Sequence, residues 1–196
     1  MKEAWISAAA TAGAAILATV LAGGAHTVAR AGQPDLAPRE ALEAFQQRIK
    51  AYLQLRADLA NGLEPLAPTA NPAELATRQA WLANAIRAAR KGARQGDLIP
   101  APVAAQITKV ILADFRRRSA AAEKAMFSEF PRASRPVINQ VYPADAALPT
   151  VPPLLLKDLP RLPDNLQYRF YGRHLLLIDA DVQLIADYLA NVLPPH

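Results

Sequence analysis

The residues able to do chemistry in this chain are few and badly spaced for it. Three histidines occur, His26, His174 and His196. No His-x-x-x-His or His-Glu-x-x-His spacing joins them, so a histidine metal site has no frame. His174 is the one internal candidate for a general base, and it would serve a hydrolase that pairs it with a nearby aspartate. Serines 119, 128 and 134 stand outside any Gly-x-Ser-x-Gly turn, the setting a serine nucleophile of the elbow type needs. The acidic set Asp179, Asp181 and Asp187 offers carboxylates but lacks the ligand number and the turn glycine of a calcium loop. Capping of a closing helix by Asp179 or Asp181 accounts for that pair. GARQGD (92–97) lacks the Gly-x-x-x-x-Gly-Lys pattern of a phosphate cradle. Arg94 and Asp97 in it read as structural, pinning a hairpin or strap to a helical body. There is no cysteine, which removes disulfides, thiolate metal sites and cysteine nucleophiles together. The residues therefore predict no catalytic group, no metal and no cofactor.

Location is easier to read than chemistry. Between Glu3 and Arg30 no charge interrupts a run of small and apolar residues. Such a run after Lys2 is the pattern of a secretory leader, and Ala29-Arg30-Ala31 offers small residues for cleavage before Gly32. The alternative is an uncleaved anchor, because 4–25 approaches the length that spans a bilayer, although Ala and Gly hold lipid less well than Leu or Ile. The expectation is export, to the periplasm or outside. The net charge of the whole chain is +5, and it stays basic when the leader goes with Lys2, Glu3 and Arg30. For an exported chain this points away from nucleic acid and towards an envelope protein or an anionic membrane surface. Arg87, Arg90, Lys91 and Arg94, with Arg116, Arg117 and Arg118, are the groups that would meet lipid phosphates.

Three elements should position whatever the protein binds. Leu42, Phe45, Ile49, Tyr52, Leu53 and Leu59 recur at three and four, predicting a helix from about Arg39 to Asn61. Asn71, Pro72 and Glu74 form a helix start with an N-cap, a first-position proline and a capping-box acid. That helix should carry Leu75, Gln79, Leu82 and Ile86 on one face and stop near Lys91, with Gly92 in a left-handed turn. Pro100 and Pro102 open a third helix bearing Val103, Ile107, Val110, Ile111 and Phe115, with a break near Ser119. Together they predict a mainly α fold, an antiparallel three-helix bundle over 32–130. Eight prolines fall between 131 and 163, a density that predicts an extended strap over 131–166 with one short extended piece at 137–142. Leu154, Leu155, Leu156 and Leu159 on it are the candidate partner-binding residues. The last segment, 167–196, reads as a hairpin turning at Gly172-Arg173, followed by a closing helix on which Val182, Ile185, Leu189 and Val192 keep helical spacing. On a period of two, Ile185 and Asp187 would share a face. Tyr168, Phe170 and Tyr171 are the candidate lining of an apolar ligand pocket.

Three blocks, GARQGDLIPAPV (92–103), VINQVYP (137–143) and the run from Leu159 to Leu189 containing YRFYGRHLLLIDADVQLIADYL, resemble a group of exported bacterial proteins with no assigned activity. The resemblance implies export and a shared fold, and it transfers no catalytic or cofactor residue. His174 departs from the acidic residue expected there. The function expected from the chain is a non-catalytic, partner-binding or scaffolding envelope protein. A carrier for a small ligand or lipid is the alternative.

Overall fold

The computed structural model describes residues 38–63, 71–128, 135–142 and 149–194. All of them belong to the compact unit spanning Pro34–His196. The leader or anchor expected over 1–31 lies outside the described residues. Among the described residues the elements run α1 (Pro38–Asn61), α2 (Pro72–Ala89), α3 (Ala101–Arg116), α4 (Ala120–Ser128), α5 (Pro153–Asp158), β1 (Leu166–Tyr171), β2 (His174–Asp179) and β3 (Leu184–Leu189). No described helix is long and apolar enough to cross a membrane.

The helices form where their apolar spacing says they should. Ala41, Phe45, Ile49 and Tyr52 are buried on α1, and Val103, Ile107, Ile111 and Phe115 on α3; each set makes one stripe. On α2 the stripe is shorter, with Leu82, Ala83 and Ile86 buried and Leu75 left exposed. Asn71 caps α2 by accepting the Ala73 N–H at 3.0 Å, and its amide donates to Glu74 Oε1. The expected break near Ser119 separates α3 from α4, where the Ser119 hydroxyl accepts the Ala122 N–H. The left-handed turn expected at Gly92 is absent. α2 ends on Arg90 at φ −106°, and the glycine of the following loop at positive φ is Gly96, at 91°.

The sheet corrects the expected bundle. The fold is mixed α/β, five described helices with a three-stranded antiparallel sheet in the order β1-β2-β3. The hairpin between β1 and β2 forms as expected, with Gly172 supplying the positive φ its two-residue turn needs. The closing helix does not form: Leu184–Leu189 is β3, paired with β2. The spacing misleads because β3 is buried on both faces, so its apolar residues fall at helical intervals as well as alternate ones; the strand also carries a bulge. Leu177 faces Asp187 while Ile178 faces Ile185, so Ala186 is the extra residue. A bulge shifts the two-residue alternation by one place. Ile185 and Tyr188 consequently join Leu176 and Ile178 in a small cluster with Ile138 and Tyr171, whereas Leu184, Ala186 and Leu189 join the main core with α1, α2, α3 and α5. Ile185 and Leu189, four apart, thus lie on opposite faces of the strand, and Ile185 and Asp187 face opposite ways as well.

The proline-rich strap is also more ordered than its composition predicts. Pro153 sits at the first turn of α5, where its missing N–H costs nothing. Leu155 and Leu159 pin this short helix into the main core. At the edge of β1, Pro149 C=O accepts the Phe170 N–H and Thr150 pairs with Arg169. At the edge of β3, the 137–142 piece exchanges bonds with Ile185 through Asn139 N–H and Gln140 C=O, and Tyr142 N–H reaches Gln183 C=O. Two proline-rich stretches therefore cover both sheet edges.

Candidate binding site

Two buried carboxylates, both wholly excluded from solvent, tie the helices to the sheet. The bulge turns Asp187 towards the α2–α3 loop. There its Oδ1 accepts the Gly96 N–H at 3.0 Å, and its Oδ2 accepts the N–H groups of Leu98 and Ile99 at 2.9 and 2.8 Å. Gly96 at φ 91° allows the loop to wrap the carboxylate. Arg48 of α1 steadies the far side by donating to the carbonyls of Gly96 and Asp97. Asp97 itself holds the turn, accepting the Arg94 N–H at 2.7 Å. The pinning expected of Arg94 and Asp97 is thus performed by the loop backbone on Asp187.

Asp179 was expected to cap a helix. It instead ends β2 and accepts the Tyr52 hydroxyl at 2.8 Å, with Arg56 Nε at 3.1 Å. Arg56 also pairs with Asp181, and Asn165 donates to the same carboxylate. A guanidinium thus occupies the place between Asp179 and Asp181 where a metal ion would have to sit. Burial pushes the Asp179 carboxyl above its ordinary range, against the bond from Tyr52 and the charge of Arg56. Burial, reinforced by Asp179, pushes the Tyr52 phenol far above 10. Arg90 lies 5.0 Å over the Tyr52 ring and donates to Asn139 Oδ1 and Ala186 C=O. Arg90 thereby leaves the surface cluster predicted to meet lipid, as does Arg118, which pairs with Asp114.

His174 accepts the Asn191 N–H on Nδ1 at 3.3 Å and meets the Tyr188 ring edge-on. Burial and the charges of Arg173 and Arg135 hold its pKa low. Its surroundings are backbone, arginine and tyrosine, the surroundings of a structural ring.

Two grooves flank the strap where it passes between α1 and β1. One, of about 510 Å³, is walled by Phe45, Ile49, Lys50 and Leu53 of α1 with Arg161 and Leu162. The other, of about 550 Å³, lies between α5 and β1 and is walled by Val151, Leu156, Leu162, Tyr168 and Arg169, with Arg161 again. Both volumes fall in the range of about 300–1,000 Å³ found for small-molecule sites. Of the aromatic residues expected to line a pocket, only Tyr168 does so. Phe170 is in the main core and Tyr171 is on the opposite face. The strap leucines also divide, with Leu155 and Leu159 buried, Leu154 73% exposed and Leu156 47% exposed. Tyr168 is 3% exposed, and its hydroxyl has no hydrogen-bond partner among the described residues. Burial raises its pKa well above 10.

An unmatched buried hydroxyl costs about 1–3 kcal/mol. Tyr168→Phe is therefore expected to leave the apo protein as stable or about 1 kcal/mol more stable, as read by urea denaturation; a loss above 1 kcal/mol would show that the hydroxyl is matched in solution.

Compared with family models, curated proteins and solved structures, the chain matches none.

Proposed function

We propose that this chain is an exported, non-catalytic binding protein of the bacterial cell envelope and that its ligand occupies the groove between the strap and β1. The observation that carries the reading is the wall of that groove. It has apolar side chains on both sides, and one wall residue, Tyr168, is buried with a hydroxyl that no described residue satisfies. The leader-like run over 1–31 and the resemblance to exported proteins support the location. The rigid floor supports the binding, because the Asp179 and Asp187 ties fix α1, the α2–α3 loop and the sheet to one another, and a preformed pocket loses less freedom when it fills.

A protein partner is the second reading, favoured by Leu154, which points away from the groove with most of its surface in solvent. The two separate in one measurement. The chain is produced with its leader, purified from the envelope and weighed by native mass spectrometry. The expected result is a small-molecule adduct that Leu156→Ser depletes and Leu154→Ser leaves in place. Loss of a co-purifying protein from both variants, with no adduct in the wild type, would favour the partner reading and overturn the groove.

A further inference from the structure

The groove walls share a charge pattern that narrows the ligand. Resting on the binding reading above, we propose that the two grooves form one site for a single-chain anionic amphiphile, a long-chain carboxylate. Its head group pairs with Arg161 and its tail lies along the apolar walls that meet at Leu162.

Three cations, Lys50, Arg161 and Arg169, stand in the walls, and among the described residues neither wall contains an aspartate or glutamate. Elsewhere among the described residues Arg39, Arg56 and Arg118 are paired with carboxylates, while Arg48, Arg90 and Arg173 are engaged by carbonyl or amide oxygens of the fold. Arg169 is held in place by a bond of 2.6 Å to Gln167 Oε1, a neutral acceptor that orients the guanidinium and leaves its charge uncancelled. Arg161 and Leu162 belong to both grooves. A head at Arg161 can therefore send its tail either way, past Phe45, Ile49 and Leu53 or past Val151, Leu156 and Leu166. Uncancelled positive charge at the junction of two apolar troughs complements a molecule with one negative end and one long apolar body. A guanidinium recognises a carboxylate by two parallel bonds, which a neutral alcohol cannot accept. A cationic head would meet three like charges.

The probe set follows from that chemistry. A fluorescent fatty acid bound to the full mature chain is displaced by palmitate, hexadecanol or hexadecyltrimethylammonium, each below its aggregation threshold. Palmitate is expected to displace it at least tenfold more effectively than hexadecanol, and the cationic amphiphile not at all. Shortening the carboxylate should weaken binding by roughly fourfold for each methylene lost from the groove. Arg161 is exposed, so Arg161→Gln should keep the wild-type melting curve while weakening palmitate about tenfold; Arg161→Lys should recover part of the loss. Equal binding of hexadecanol and palmitate, unaffected by Arg161→Gln, would overturn the carboxylate and leave the groove reading standing. Binding of none of the three, with no adduct on the purified protein, would sink both. Adsorption to anionic vesicles without binding of monomeric palmitate would mean a membrane-surface role in place of this site.

Discussion

Replacing Asp187 by alanine is expected to lower the unfolding free energy by about 4 kcal/mol, because it strands backbone donors that have no other partner. The N–H groups of Leu98 and Ile99 are buried, and that of Gly96 is half-buried. Each buried donor left unmatched costs about 1–3 kcal/mol. The carboxylate also lies just ahead of α3, where the helix dipole favours negative charge. Asp187→Asn keeps one acceptor oxygen but turns an amide N–H towards backbone N–H groups, so about half the loss is expected. Urea denaturation of the three proteins measures this. An alanine variant within 1 kcal/mol of wild type would show that the loop finds other acceptors. Because the loop and β3 lie outside both grooves, palmitate affinity should survive in Asp187→Asn at temperatures where it stays folded.

Asp179→Ala should cost about 1–3 kcal/mol, since it leaves the buried Tyr52 hydroxyl without its acceptor. Arg56, whose side chain is only 17% exposed, loses one of its two carboxylates and keeps Asp181. A double variant, Asp179→Leu with Arg56→Met, is expected to recover much of that loss, because the paired charges repay their own desolvation only in part. Failure of the double variant to improve on Asp179→Ala would place the cost in packing around Tyr52.

The same carboxyl sets a pH dependence of unusual sign. Its folded pKa lies above the ordinary 3.8. Between those two values the folded chain binds more protons than the unfolded one. The contribution of Asp179 is therefore greatest below pH 3.8 and is lost as pH rises through the folded value. Asp179→Asn should remove that slope, which denaturation at several pH values between 4 and 7 would reveal. An unchanged slope would assign it to other groups.

Much of the helical half was legible in the residues. The stripes of α1 and α3, the Asn71 cap and the break at Ser119 follow from local periodicity and local bonds, and so does the Gly172 turn. The misreadings have a common cause in tertiary context. β3 is buried on both faces, which gave a strand the apolar spacing of a helix. A short α5 formed inside a proline-rich stretch because Pro153 falls at its start and Leu155 and Leu159 are buried. The site was less legible still. Tyr168 stood out as an aromatic on the hairpin, but Lys50 and Arg161 are remote in sequence and read as ordinary solvated charges until α1 and the strap are brought together. Asp187 carried a usable signal: a lone carboxylate in the apolar run LIADYL must find donors if it is buried. What it could not carry was the address of those donors, about 90 residues earlier in the loop after α2.

The two carboxylate ties also order events in time. Both acceptors lie near the end of the chain, and their donors lie far upstream, Tyr52 at a separation of 127 residues from Asp179. While the chain is being made, α1 carries Tyr52 and Arg56 with nothing to receive them, and the loop at 96–99 presents bare N–H groups. Only when β2 and β3 have emerged can the helices close on the sheet, and contacts so distant form late because the intervening chain must first be gathered in. A nascent chain of this design keeps its helices apart from the sheet until β2 and β3 are released.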